Sequence, residues 1–226
     1  MADEPCPCCG DADESNAETE RNAETEPSRE SEPTADRWLA GQSPLDAQLP
    51  PDIRSALGRF LGVESVDTLG AWARAVRHRV DGEAIGIDEL CITDERTPHW
   101  GIIDGERYYF ACFYDAVILA AIRDRPVDVR TESPEGTPIE ARAVGSDELA
   151  VTPEEAVFSF GIDDRIEPSP EEGPTLEEGY AAICPYVRAF PGTNAYRRWA
   201  ETVPAATVAL PLSGTTELAA ILVENR

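Results

Sequence analysis

The sequence contains no lysine. All 19 of its basic residues are Arg, set against 44 acids in 226 residues, for a formal charge of −25. A chain this acidic repels phosphate backbones at long range, which argues against nucleic acid as a partner. Acid-rich, Arg-only composition suits work in molar salt, where the Debye length falls to about 3 Å and self-repulsion is screened. Also missing is any apolar run near the ~18 residues of a membrane span. The start, MADEPCPCCG, has neither the basic residues nor the apolar stretch of a secretory signal. The expectation is a halophilic, cytoplasmic protein without a membrane partner, whose six cysteines (6, 8, 9, 91, 112 and 184) are thiols rather than disulfides. Several catalytic signatures are absent too: no G-x-S-x-G, no Gly-rich phosphate loop, no H-E-x-x-H and no paired C-x-x-C. Those absences disfavour hydrolase, nucleotide-dependent and zinc-enzyme chemistry.

What is present divides the chain in three. Residues 1–36 carry 12 acids and two Arg, almost no large apolar side chain, and the repeat NAETE at 16–20 and 22–26. Such a stretch buries too little surface to offset the entropy of ordering it, so it reads as a disordered acidic tail. Residues 37–90 read as a small helical module. One helix is expected over 51–61, with Ile53, Leu57, Phe60 and Leu61 at helical spacing and Gly62 as its stop. A second is expected from a Ser65 cap to Val80, ended by Asp81-Gly82.

Residues 91–226 read as the core. Asp104-Gly105 between two alternating runs is a strong hairpin signal, and 111–122 is apolar enough for a buried helix. Short strands are expected at 127–131, 139–144, 149–151, 156–161 and 207–212, with helices at 175–182, 194–202 and 215–223 and a Pro/Glu-rich loop at 167–173. Strands mixed irregularly with helices predict an α+β fold: a helical module packed on a mixed β-sheet core with flanking helices.

The most informative pair is Cys112 and Asp115. In the first turn of the expected helix, positions i and i+3 share a face, which brings thiol and carboxyl within one turn. An acid in an otherwise apolar helix is costly unless it is paired or functional. Taken alone, the pair reads more simply as a buried Cys beside an acid of the first turn. Cys184, in Ala-Ile-Cys184-Pro185-Tyr186, is by itself equally consistent with packing. Two separated thiols and one carboxylate nonetheless form a coherent chemistry: thiolates bind a soft metal, and the acid moves a proton.

Two blocks carry a resemblance to the organomercurial (alkylmercury) lyases. The first is Thr97-Pro-His-Trp-Gly-Ile-Ile-Asp-Gly-Glu-Arg-Tyr-Tyr-Phe-Ala-Cys112-Phe-Tyr-Asp115, a strand, tight turn, aromatic strand and Cys-x-x-Asp opening an apolar helix. The second is Cys184-x-x-Val187-x-x-Phe190 with Trp199 downstream. The similarity spans roughly 90–212 and implies protonolysis of a carbon–mercury bond to a hydrocarbon and Hg(II), a mercury-resistance reaction. It implies that Cys112 and Cys184 bind mercury and that Asp115 handles the proton, with an apolar pocket raising its pKa. Phe113 and Tyr114 would help to shape that pocket. No organic cofactor or resident metal is implied, and the Hg(II) acceptor would be a low-molecular-weight thiol or a mercuric reductase. The chain departs from the pattern at Pro185, where some members carry a second Cys, and in the tail.

Cys6, Cys8 and Cys9 place three thiols in four positions. They read either as an incidental cluster or as a collector of mercurial or released Hg(II). Cys91 reads as a strand-edge or core thiol, His78 as solvated, His99 as structural, and Asp163-Asp164 as solvated acids. The rival to the lyase is a protein that binds or delivers Hg(II) or Cu(I) without cleaving anything. Asp115 beside Cys112 speaks against it, because pure binding needs no proton donor.

Overall fold

The computed structural model of the chain describes residues 37–39, 43–79, 85–166, 168 and 173–224. The acidic stretch 1–36 with Cys6, Cys8 and Cys9, the Asp81-Gly82 stop, and most of the loop at 167–173 lie outside the described residues.

Two helices open the described chain. α1 (Pro51–Leu61) begins on a proline and stops at Gly62, whose φ of 67° is left-handed backbone that glycine adopts without strain. Its Ile53, Leu57, Phe60 and Leu61 are buried, as their spacing predicts. α2 (Leu69–Arg79) starts later than expected. Thr68 caps it, its Oγ1 accepting the Ala71 amide at 3.0 Å, while the Ser65 hydroxyl donates to Asp67 instead.

A six-stranded sheet follows. β1 (Ile92–Thr93) lies at its edge, and β2 (Trp100–Ile103) and β3 (Glu106–Phe110) form the hairpin. Asp104 and Gly105 both have positive φ, 55° and 85°, the pattern of a two-residue turn matched to the twist of the strands. After α3 (Tyr114–Arg123) come β4 (Pro126–Glu132), β5 (Pro138–Val144) and β6 (Glu148–Thr152), giving the order β1-β3-β2-β4-β5-β6.

β7 (Val157–Ile162) begins a second sheet. After it come α4 (Leu176–Ile183), β8 (Arg188–Phe190), α5 (Thr193–Ala200), β9 (Ala206–Pro211) and α6 (Thr216–Val223), with strand order β8-β7-β9. The ladders in both sheets are antiparallel, and a parallel bridge joins Trp38 to Ala209. The fold is α+β. β1 and β8, of two and three residues, are the strands that the periodicity does not announce.

β7 is buried at all six positions and forms the spine of the core. α1 covers it and β9, while α2 and α3 both pack on α6. One continuous apolar cluster runs from Leu39 to Leu222, so the helical module shares the core of the sheets. Burying each large apolar side chain of such a core contributes about 1.5–3 kcal/mol.

α3 lies close over β2 because Gly101 offers no side chain beneath it. A Cβ there would stand 2.9 Å from Val127 Cγ1 and 3.2 Å from the Ala116 Cβ of α3. Gly101→Ala should therefore lift the helix and cost about 1–3 kcal/mol, the range for overpacking. The expected readout is a lower urea midpoint at unchanged slope. An unchanged midpoint would show that α3 is not seated on this strand.

Candidate active site

Three separate segments meet at the start of α3. The Ala111 amide donates to the Cys91 carbonyl at 2.9 Å, which keeps residue 111 in the sheet edge and delays the helix. Cys112 therefore stands just ahead of the Phe113 N-cap rather than inside the first turn, a correction to the helix expected from 111. The pair remains local all the same, because the Asp115 amide donates to the Cys112 carbonyl at 3.3 Å. Cys112 is 4% exposed and Asp115 9%.

Cys184 comes from the other side. α4 starts on a capping box, with Thr175 Oγ1 accepting the Glu178 amide and the Glu178 carboxylate accepting that of Thr175. It gives way at Cys184 to a 3-10 turn, Cys184–Tyr186. That turn is pinned at three points. Ser159 Oγ donates to the Tyr186 carbonyl (2.8 Å), Tyr186 Oη to Asp163 Oδ2 (3.1 Å), and Arg188 Nε to the Pro185 carbonyl (2.9 Å). Asp163 is 8% exposed and receives the Arg165 guanidinium at 2.8 and 2.6 Å, which holds its carboxyl down to about 2. The reading of Asp163 as a solvated acid is thereby corrected; Asp164 remains at the surface.

The third segment is Cys91. Its amide donates to Asp115 Oδ2 at 2.8 Å, and its thiol also hydrogen-bonds that carboxyl. The thiol of Cys184 interacts with those of both Cys112 and Cys91, and these contacts together with burial push it up. The cluster thus holds three sulfurs and one carboxyl, where the sequence singled out two sulfurs. Ile92 pairs with Phe110 across β1 and β3, so Cys91 arrives beside the Ala111–Cys112 bend. A two-residue strand leaves no periodic signal from which that register could be read. Among the described residues, no group of three or more His, Cys, Asp or Glu could hold a metal ion.

Cys112, Asp115 and Cys184 line a cavity of about 180 Å³ whose other walls are mainly apolar, including Phe60, Trp72, Phe158, Phe160 and Leu222. Tyr114 lines it too, anchored by Oη donation to the Thr215 carbonyl at 2.5 Å. Phe113 does not line it; its ring packs behind, 6.2 Å from Tyr114 and 6.1 Å from Phe158. Tyr180 closes one side and donates to the Glu89 carbonyl, tying α4 to the segment ahead of Cys91. Burial raises the Asp115 carboxyl from 3.8 to about 6, against the pull of the two Cys91 hydrogen bonds.

The histidines stand apart. His78 is exposed on α2. His99 Nε2 accepts from Arg188 at 3.3 Å, and since a guanidinium only donates, Nδ1–H donates to Thr131 Oγ1 at 2.6 Å. Burial and then Arg188 hold the imidazole neutral down to about 4, a structural link between the first sheet and the Cys184 turn. No helix among the described residues is long and apolar enough to cross a membrane.

Comparison with known proteins adds a family. The MerB model, alkylmercury lyase, matches residues 92–224. An alkylmercury lyase of Streptomyces lividans is 31% identical over 134 residues, 59% of this chain and 57% of the relative. The chain thus spans little more than half the length of that relative. A solved structure, the mercury-bound form of MerB2, is 14% identical and covers 77% of this chain and 98% of its own, with a TM-score of 0.41.

The raised Asp115 carboxyl has a measurable cost. Because burial favours the protonated form, the contribution of Asp115 to stability is fully present below pH ~4, and about 3 kcal/mol of it is lost as the pH rises to about 6. Asp115→Asn removes that penalty. The variant should be more stable than wild type at pH 8 by about this amount, the gap closing below pH 4, as read by urea unfolding. Equal stability at both pH values would mean that the carboxyl is hydrated.

Proposed function

Because the chain belongs to the alkylmercury lyase family, we propose that it cleaves the carbon–mercury bond of a small organomercurial by protonolysis. The observation that carries this reading is Asp115: a buried carboxyl with a pKa of about 6, beside thiols, at the wall of an apolar cavity. A protein that only bound mercury would need the sulfurs without an acid that costs stability to bury.

Each residue has a role. Cys112 and Cys184 supply soft sulfur donors, and Asp115 takes a thiol proton as the organomercurial cation enters. With both sulfurs on mercury, added electron density weakens the mercury–carbon bond and makes the carbon carbanion-like. Asp115 then delivers a proton to that carbon. The organomercurial cation and two thiols become one hydrocarbon, one neutral Hg(II) dithiolate and one released proton. Electrons balance without a redox partner, so no organic cofactor or resident metal is needed. An apolar cavity of about 150 Å³ admits a benzene ring. One of about 180 Å³ therefore suits a short alkyl group or a single aryl ring. The reaction would be a detoxification step in a halophilic cytoplasm, with Hg(II) leaving to a low-molecular-weight thiol or a mercuric reductase. The tail thiols Cys6, Cys8 and Cys9 are further candidate receivers.

The test is methane release from methylmercury and benzene release from phenylmercury, with excess thiol in molar salt. Wild type should release hydrocarbon, and Asp115→Asn should lose about 10²–10⁴-fold, the range for a general acid. Cys184→Ser should lose comparable activity. Tight mercury binding by wild type without hydrocarbon would overturn the reading and leave a metal carrier.

A further inference from the structure

We propose that Gly179 is a specificity-determining residue: the side chain it lacks leaves the room in which an aryl group on mercury lies against α4. The proposal deepens the lyase reading and rests on it for the mercurial. What it adds is the organic group, an aryl ring held along one named helix.

Glycine weakens a helix interior relative to alanine, because its backbone has the most freedom to lose. A glycine within the eight residues of α4 therefore needs a reason. Packing supplies one elsewhere in the chain. At Gly58 of α1 a Cβ would lie 2.8 Å from the Glu64 carbonyl oxygen, and at Gly161 of β7 one would lie 2.7 Å from that of Ala206. Gly179 has no such neighbour. Its backbone is helical, its amide donates to the Thr175 carbonyl at 3.0 Å, and a Cβ on it would meet no atom of the described residues within 4 Å.

The space in front of it belongs to the cavity. Gly179 lines that cavity, and so do Thr175 and Ile183, its neighbours one turn to either side on the same face. Leu176 and Tyr180 line it beside them. A side chain at 179 would thus enter the space onto which Cys112, Asp115 and Cys184 open. Cys184 follows five residues later, about 7.5 Å along the axis, and its backbone is still helical. The Cα–Cβ bond of a helical residue tilts towards the helix N-terminus, so the Cys184 side chain leans back over the turn that carries Gly179 and Tyr180. A group carried by mercury on that sulfur and running along α4 reaches Gly179 only if it is several atoms long. A methyl group ends short of it. An aryl ring spans the distance and lies flat on the bare backbone between Leu176 and Ile183.

The experiment compares kcat/KM for benzene release from phenylmercury with that for methane release from methylmercury, using the full chain with excess thiol in molar salt. The quantity read is the phenyl-to-methyl ratio. One methylene in an apolar site is worth about 10–200-fold in discrimination. Gly179→Ala should therefore lower the ratio about 10-fold, and Gly179→Leu about 200-fold. Ala181→Leu, at an exposed position of the same helix, should keep the wild-type ratio. If leucine at 179 misfolds, alanine carries the test, because it clashes with nothing there and favours the helix. An unchanged ratio in a folded Gly179 variant, or an equal fall in Ala181→Leu, would overturn the proposal. Release of neither hydrocarbon by wild type would defeat the lyase reading separately. The ratio of phenylmercury to methylmercury affinity then decides the role of Gly179, read by quenching of tryptophan fluorescence, since Trp72 is on the cavity wall. It should fall in the same order, and an unchanged affinity ratio would overturn the proposal.

Discussion

Keeping the Asp115 carboxyl out of water without a cation beside it is the constraint around which the site is arranged. A second aspartate has as little exposed surface but sits in a shallower place, beside a cation. Asp163, 8% exposed, is gripped by Arg165 and titrates at about 2. Asp115, 9% exposed, is offered one amide and one thiol by Cys91, and it titrates at about 6. The ion pairs among the described residues all engage other acids. An Arg at Asp115 would stabilise the fold and remove the proton that the proposed chemistry needs near neutral pH. The acid beside Cys112 is therefore tuned by what is withheld from it.

The same contrast explains why Asp163 is buried. Its partner Tyr186 belongs to the turn that carries Cys184, and a turn made of Cys, Pro and Tyr has little local structure of its own. Its position is imposed from outside by Ser159 of β7, by Asp163 just beyond β7, and by Arg188 at the start of β8. Arg188 in turn reaches His99, and His99 reaches Thr131 of β4. A chain of neutral and charged hydrogen bonds thus runs from the first sheet to the turn. Each link is worth about 1 kcal/mol net, but an unpaired partner at one of the buried links, such as Ser159–Tyr186 or His99–Thr131, would cost more than that. The network holds the Cys184 sulfur beside that of Cys112, although 72 residues of chain separate them.

What could be read from the sequence follows the range of the forces involved. The Asp104-Gly105 turn, the α1 stop at Gly62 and the apolar run of α3 each depend on residues within one turn or one pleat, and each is found within a few residues of its expected place. The Ser65 cap fails for an equally local reason: Thr68 stands at the correct offset from the first free amide, and Ser65 has Asp67 as a nearer partner. β1 and β8 could not be found in this way, because their two and three residues acquire meaning only from their partners in β3 and β7. Cys91 is hidden for that reason, since only the Ile92–Phe110 register carries it to Asp115. Asp163 is hidden because a pair of adjacent acids in an acidic chain looks like surface until Tyr186 is placed against it. The residues most exposed to such errors are those whose environment comes from distant chain.

The cavity divides the labour between two stretches of the chain. Its sulfur and carboxyl floor comes from 112–184, inside the segment shared with the alkylmercury lyase family. Phe60, Leu61, Trp72, Val76 and Ile85, on its walls, precede residue 92 and lie outside that segment. Trp72 packs edge-on against Phe160 with ring centroids 4.7 Å apart, so the outer wall is fixed to the core strand and does not hang loose over the floor. Apolar walls do two things at once. They exclude the water that would lower the Asp115 pKa, and they set the shape left for whatever the sulfurs hold. A change at Trp72 or Phe60 therefore reaches the proton at Asp115 as well as the space in front of it, and fit and acidity cannot be altered independently in this fold.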